Sequence, residues 1–220
     1  MTPGALFDWD GVVIDSSSQH EKSWELLAQE EGRELPADHF KRGFGMKNEV
    51  IIPGILGWTE DADEIRRLSL RKEALYREII REEGIEALPG VRELLATLRD
   101  NGAPCSVASS THRENIETVF DVLGIREYFS AVITSEDVSH GKPDPEVFEK
   151  SAAALGRAPE QCVVFEDAHV GIDAGLGAGA KVIAVATTHP LESLGEADLA
   201  VESLESVDWG VISSLFSQSV

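Results

Sequence analysis

Ala5-Leu6-Phe7-Asp8-Trp9-Asp10-Gly11-Val12-Val13-Ile14-Asp15-Ser16 begins with an apolar run that breaks on an acid, then on a second acid and a glycine. A short run of this kind reads as a strand over residues 5–9, buried on both faces, that delivers polar groups at its carboxyl end. Four further runs, at residues 105–109, 131–134, 162–165 and 181–186, read the same way. Between them the period becomes that of a helix. Val91, Leu94, Leu95 and Leu98 share one face, as do Ile116, Val119, Phe120 and Leu123 ahead of a C-capping Gly124. Asp144-Pro145 reads as the N-cap and first-turn proline of another helix, with Val147, Phe148, Ala152 and Leu155 inward. Strand and helix in alternation predict an α/β fold, a doubly wound and mostly parallel sheet covered on both faces.

Residues 16–86 break the alternation, because they contain no strand-like run. Ser18-x-x-Glu21 predicts a capping box that opens a helix carrying Trp24, Leu27 and Ala28, and Asp61-x-x-Glu64 opens a longer one to about residue 83. Gly43-Phe44-Gly45 and Pro53-Gly54 interrupt what lies between. The expectation is an all-helical cap domain of residues 16–86, inserted into a core made of residues 1–15 and 87–220. Gly175, Gly177 and Gly179 end a helix ahead of a strand, the reverse of a dinucleotide fingerprint, and are read as close helix packing.

The 220 residues include 40 acids against 19 Lys and Arg, a net charge of −21, which speaks against nucleic acid as a partner. Cys105 and Cys162 each lie within an apolar run and read as small buried hydrophobes. The first residues lack a basic start and an apolar stretch, and no run approaches the ~20 apolar residues of a membrane helix. The expectation is a cytoplasmic monomer with no membrane partner.

In open α/β sheets ligands bind beyond the carboxyl ends of the strands. The residues there are Asp8 and Asp10, then Ser109-Ser110-Thr111, then Gly141-Lys142-Pro143, then Glu166-Asp167. Each alone has a plainer reading: a turn at Asp8–Gly11, an N-cap at Ser109, helix capping by Glu166 and Asp167, loop surface at Lys142. Together they bring four acids, a hydroxyl cluster and a lysine to one edge. Clustered acids call for a cation, and an all-oxygen set suits Mg²⁺, which shares substrate phosphate oxygens. The lysine and hydroxyls suit a phosphoryl group.

In that order the segments resemble the motifs of the haloacid dehalogenase superfamily. Phe7-Asp8-Trp9-Asp10-Gly11-Val12 is similar to the first, Val107-Ala108-Ser109-Ser110 to the second, Gly141-Lys142-Pro143-Asp144-Pro145 to the third and Val164-Phe165-Glu166-Asp167-Ala168 to the fourth. The resemblance is closest to the branch of β-phosphoglucomutase and small sugar-phosphate phosphatases, whose helical cap follows the first motif. It implies that Asp8 is the nucleophile, attacking phosphorus to give an aspartyl phosphate. Asp10, two residues on and so on the same side of an extended strand, would be general acid and then base. The resemblance further implies that Mg²⁺ is held by Asp8, the Asp10 carbonyl, Asp167 and, directly or through water, Glu166. Ser109, the Ser110 N–H and Lys142 would hold the phosphoryl oxygens. Dehalogenation is disfavoured because it needs neither the metal acids nor Asp10, and phosphonoacetaldehyde hydrolysis because those relatives lack the second acid.

Within the cap, Lys72 falls on the apolar stripe Ile65, Leu68, Leu75, Ile79. Either it runs to the stripe's edge, or this face closes over the site and Lys72 meets an anionic substrate group. It matches a lysine with which mutases of the branch hold a distal phosphate. His20 matches a mutase histidine near the cap hinge, and is otherwise an ordinary helix histidine. Asn48 stands where the mutase has an arginine, which disfavours phosphoryl transfer between sugar positions. The implied function is Mg²⁺-dependent hydrolysis of a small phosphorylated metabolite such as a sugar phosphate. A β-phosphoglucomutase-like mutase is the alternative, followed by a catalytically silent metabolite-binding module.

Overall fold

The computed structural model describes residues 2–43 and 46–217, so Phe44 and Gly45 of the expected break lie outside the described residues. It divides into two compact units, Met1–Asp15 with Ile85–Val220, and Ser16–Gly84. The first holds a sheet of six parallel strands: β1 Gly4–Phe7, β2 Cys105–Ala108, β3 Phe129–Ile133, β4 Cys162–Glu166, β5 Lys181–Val185 and β6 Leu199–Val201, in the order β3-β2-β1-β4-β5-β6. The order reverses at β1 and β4, where both strands end in acids and a doubly wound sheet opens its ligand crevice.

Side-chain alternation assigns the two faces. Leu6, Ala108 and Val164 pack with Val147, Phe148, Ile172 and Ala174. These belong to the helices Glu146–Ala154 and His169–Ala178. On the other face Phe7 stacks on Phe165, with centroids 4.6 Å apart, and meets Phe129 edge-on at 5.8 Å. Phe120, from the helix Arg113–Leu123, closes that cluster against Phe129 and Trp9. Cys105 and Cys162 are buried free thiols, and burial pushes them up to about 12 and about 11. Gly175 lies where a Cβ would come within 2.9 Å of Val182, so helix packing accounts for it.

Three local expectations are corrected. The helix after the first motif spans Ser17–Glu31 with Ser16 at its N-cap and no side-chain cap bond, so Ser18 and Glu21 form no capping box there. The helix expected to open at Asp144-Pro145 starts at Glu146, one position later, because the first helical N–H groups, of Phe148 and Glu149, reach the Pro145 carbonyl, both at 3.0 Å; Asp144 still accepts the Glu146 N–H at 3.0 Å. Finally, β6 is an additional strand: its apolar run, Leu199-Ala200-Val201, is only three residues long between Asp198 and Glu202, and is half-buried.

The helical unit comprises Ser17–Glu31, His39–Gly43, Asn48–Gly54 and Ala62–Glu83 among its described residues. Asp61 caps the last of these, accepting the Glu64 N–H at 2.9 Å as its sequence predicts. Trp24, Leu27, Ile51, Ile52, Leu68 and Leu75 form its core.

Candidate active site

The strand β1 stops at Phe7, and the Asp8 N–H is the last to bond across the sheet, to the Phe165 carbonyl at 2.9 Å. The chain then folds back. Gly11 at φ 87° accommodates a turn in which the Gly11 N–H donates to the Ile14 carbonyl at 2.7 Å and the Val13 and Ile14 N–H groups reach the Trp9 carbonyl. Asp10, bridged to Ile14 at the mouth of this turn, lies beyond the end of β1 and past a bend at Trp9, so the same-side argument from an extended strand does not hold for it. Its place is fixed otherwise: the Thr111 hydroxyl, from the loop after β2, donates to Asp10 Oδ2 at 2.6 Å.

Asp8, Glu166 and Asp167 are 9%, 1% and 5% exposed, and each offers a carboxylate oxygen within 4.8 Å of the others. Lys142 enters between them. Its ammonium donates to Asp8 Oδ1 and, at 2.6 Å, to Glu166 Oε1. Glu166 is further held by the Asp167 and Ala168 N–H groups, at 2.8 and 2.9 Å to Oε2. Gly171 is required beside it, since a Cβ there would lie 1.7 Å from Glu166 Oε1.

These contacts set the electrostatics. Burial pushes Asp8 well above the carboxylate range against the attraction of Lys142, and the charges of Glu166 and Asp167 push the same way. Burial, then the Glu166 charge, raises Asp167 to about 7. Burial works against the charge of Lys142, but the Asp8 and Glu166 carboxylates more than offset it and hold the ammonium above its ordinary value. Three buried acids with one ammonium form an anionic, all-oxygen nest, and that donor chemistry fits a hard divalent cation.

Ser109 is buried, its N–H bonded to the Ile133 carbonyl at 3.0 Å and its hydroxyl accepting the Thr111 N–H at 3.0 Å. Ser110 beside it is exposed. Among the core residues named from sequence, Asp8, Lys142, Glu166 and Asp167 thus form one contact cluster, with Asp10 and Ser109 joined through Thr111. Sequence reasoning did not single out Thr188, whose hydroxyl donates to Asp167 Oδ2, or Thr187, whose hydroxyl donates to the Gly11 carbonyl. Both follow β5, one strand beyond the acid pair, and the Thr-Thr pair right after an apolar run was the available signal.

In the helical unit, His20, Lys72 and Asn48 share one polar network. His20 Nδ1 and Lys72 Nζ are 2.6 Å apart, Lys72 donates to Glu73 at 3.0 Å, and Asn48 donates to Glu73 at 2.7 Å and to Ser69 at 3.1 Å. Lys72 is 3% exposed and lies 5.6 Å from the Trp24 ring centroid and 5.7 Å from that of Tyr76. It does not run to the edge of its stripe. Glu73, absent from the expected set, is what holds its charge inside.

The model of one family, haloacid dehalogenase-like hydrolase, matches residues 2–179. A 5-amino-6-(5-phospho-D-ribitylamino)uracil phosphatase of Arabidopsis thaliana is 40% identical over 205 residues, 92% of this chain and 54% of that protein, so the chain spans about half its length. Hexitol phosphatase A of Escherichia coli is 34% identical over 209 residues, 93% of this chain and 92% of the relative. Among solved structures, a β-phosphoglucomutase from Clostridium difficile superposes with a TM-score of 0.81 at 27% identity, covering 97% of this chain and 96% of that one. Among the described residues no helix is long and apolar enough to cross a membrane.

Proposed function

The chain belongs to the haloacid dehalogenase-like hydrolase family, and from that premise we propose that it is a Mg²⁺-dependent phosphatase that hydrolyses a small phosphorylated metabolite of the sugar-phosphate class. The observation that carries this reading is the Asp8 carboxylate at the end of β1, ion-paired to Lys142 inside a nest of buried acids. Asp8 attacks phosphorus, the ester bond to the leaving oxygen breaks, and an aspartyl phosphate forms. Asp10 supplies the proton to the departing oxygen and takes one from the water that then displaces inorganic phosphate, returning Asp8. Lys142, the Ser109 hydroxyl and the Ser110 N–H bind the phosphoryl oxygens. Asp8, Asp167, the Asp10 carbonyl and Glu166 would hold Mg²⁺, which when bound neutralises charge on the phosphoryl group. In the helical unit, His20, Lys72 and Asn48 are the substrate-binding residues. The two buried thiols suit a reducing compartment, the cytoplasm.

Hydrolysis is preferred over transfer between sugar positions on the strength of Glu73. A mutase must hold a bisphosphate by its distal phosphate, and charge-assisted anchors to phosphate are the strong ones. In this chain the charge of Lys72 is met by Glu73 and the neighbouring anchor is the neutral Asn48. With β-glucose 1-phosphate and a bisphosphate primer, phosphate release is expected to exceed glucose 6-phosphate formation by at least roughly tenfold, about 1.4 kcal/mol of barrier. A coupled assay of both products, within a panel of sugar, polyol and nucleotide monophosphates with and without Mg²⁺, tests the assignment. Faster glucose 6-phosphate formation would assign a mutase, and no turnover of any ester would assign a silent module.

The raised acids also predict a pH dependence. An acid whose value is higher in the folded than in the unfolded chain binds its proton more tightly when folded. Its contribution to stability is therefore fullest below the unfolded value of 3.8 and declines as pH rises to about 7, the folded value of Asp167. In metal-free buffer the unfolding midpoint is expected to fall across that window, and Mg²⁺ to raise it by more at pH 8 than at pH 5. Thermal scans in EDTA and in MgCl₂ check this, and an Mg²⁺ effect that is larger at pH 5 contradicts it.

A further inference from the structure

We infer that the loop after β5 belongs to the reaction centre, with Thr188 as a positioning residue that fixes the rotation of the Asp167 carboxylate for a divalent cation. The inference rests on the reading of Asp167 as a metal ligand. Thr188 donates its hydroxyl to Asp167 Oδ2, while Thr187 next to it donates to the Gly11 carbonyl in the turn that follows Asp8 and Asp10. Two successive side chains of an exposed loop are thereby bonded to two different strand ends and not to their own loop. The root of the loop is fixed, because the Ala186 N–H donates across to the Val201 carbonyl of β6 and the Thr187 N–H closes a tight turn on the Val185 carbonyl, both at 2.9 Å.

Asp167 Oδ2 also lies against the Gly11 turn. A Cβ on Gly11 would lie 2.0 Å from Oδ2 against 3.1 Å from Oδ1, so the turn and the Thr188 hydroxyl both meet the same oxygen of the carboxylate. A carboxylate free to spin about its Cβ–Cγ bond presents either oxygen at random. Held in this way, it keeps Oδ1 as the oxygen to offer. Hydrogen-bond partners of metal-ligating groups act by this orientation, and their removal commonly weakens metal binding about 10- to 100-fold. Thr188 contacts neither phosphorus nor the leaving oxygen in the proposed reaction, so its effect should appear in cation affinity before it appears in chemistry.

The test is calorimetric titration of the full chain with MgCl₂ at pH 8, in the absence of substrate. Thr188→Val keeps the side chain's shape and removes the hydroxyl; it is expected to raise the Kd for Mg²⁺ roughly tenfold. Thr188→Ser returns the hydroxyl and is expected to bind within about threefold of the wild type. Thr188→Ala serves as a second hydroxyl deletion should the valine variant fold poorly. Wild-type affinity in the folded deletion variants, or a serine variant as weak as valine, overturns the inference while leaving Asp167 as a ligand. A wild-type chain that takes up no Mg²⁺ overturns the metal reading itself, and the role of Thr188 with it.

Discussion

Asp8→Asn is expected to reduce phosphate release by a factor on the order of 10⁴ or more while the protein stays folded. The amide keeps the size and the position of the side chain after Phe7 but cannot form an acyl phosphate. Its effect on stability should be small, within about 2 kcal/mol, because two changes oppose one another. Removing the charge relieves the burial that raises Asp8, and it deprives Lys142 of one partner. Lys142 keeps the other, Glu166 at 2.6 Å. Circular dichroism melting alongside a phosphate-release assay separates the two quantities. A folded Asp8→Asn protein with more than a few per cent of the wild-type rate removes Asp8 from the role of nucleophile.

Lys142→Met carries the second large effect, and it strikes stability as well as rate. The ammonium bridges Asp8 and Glu166, and its side chain is 7% exposed. Removing one member of a buried ionic cluster leaves charge uncompensated and costs about 3–5 kcal/mol. Loss of a phosphoryl-holding charge costs a further 10²- to 10³-fold in rate, by order of magnitude. The stability loss has a sign with pH: the remaining carboxyls can meet the loss of their cation by taking up protons, so the deficit should be smaller at pH 5 than at pH 8. Urea unfolding of both proteins at the two pH values reads it directly. An equal deficit at both, or none, contradicts the charge-compensating role.

The sheet was legible because its central strands are short, mostly apolar runs. Gly4–Phe7, Cys105–Ala108 and Cys162–Glu166 are buried along their whole length, and nothing except a two-faced strand places such runs between helix-period segments. The edge strand Leu199–Val201 escaped because its apolar run is only three residues long and half-buried, too short to tell from a loop. The strand-end acids and Lys142 were legible for a topological reason: a parallel sheet brings every carboxyl end to one side, so residues 134 positions apart, Asp8 and Lys142, meet.

What escaped depended on side-chain reach across loops. Thr111 on Asp10 spans 101 residues and Thr188 on Asp167 spans 21, with no periodicity linking either pair. Asp10 reads from sequence as an extension of the strand, but β1 ends at Phe7 and the chain bends at Trp9 before it. Lys72 could be seen to interrupt an apolar stripe, but a stripe does not reveal which counterion keeps a lysine inside. Glu73, its immediate neighbour in sequence, reads as an ordinary solvent-facing acid until Asn48 is found bonded to it.

The most direct test of the account is to find where the phosphoryl group goes within one turnover. Protein mixed with a substoichiometric sugar monophosphate in MgCl₂ and quenched in acid on the millisecond scale can be digested and its peptides weighed. A transient phosphoryl group is expected on the peptide that carries Asp8, disappearing as inorganic phosphate forms and never appearing in Asp8→Asn. Phosphate released by a chain that carries no phosphoryl group at any time, or carries it on Ser109, would contradict it.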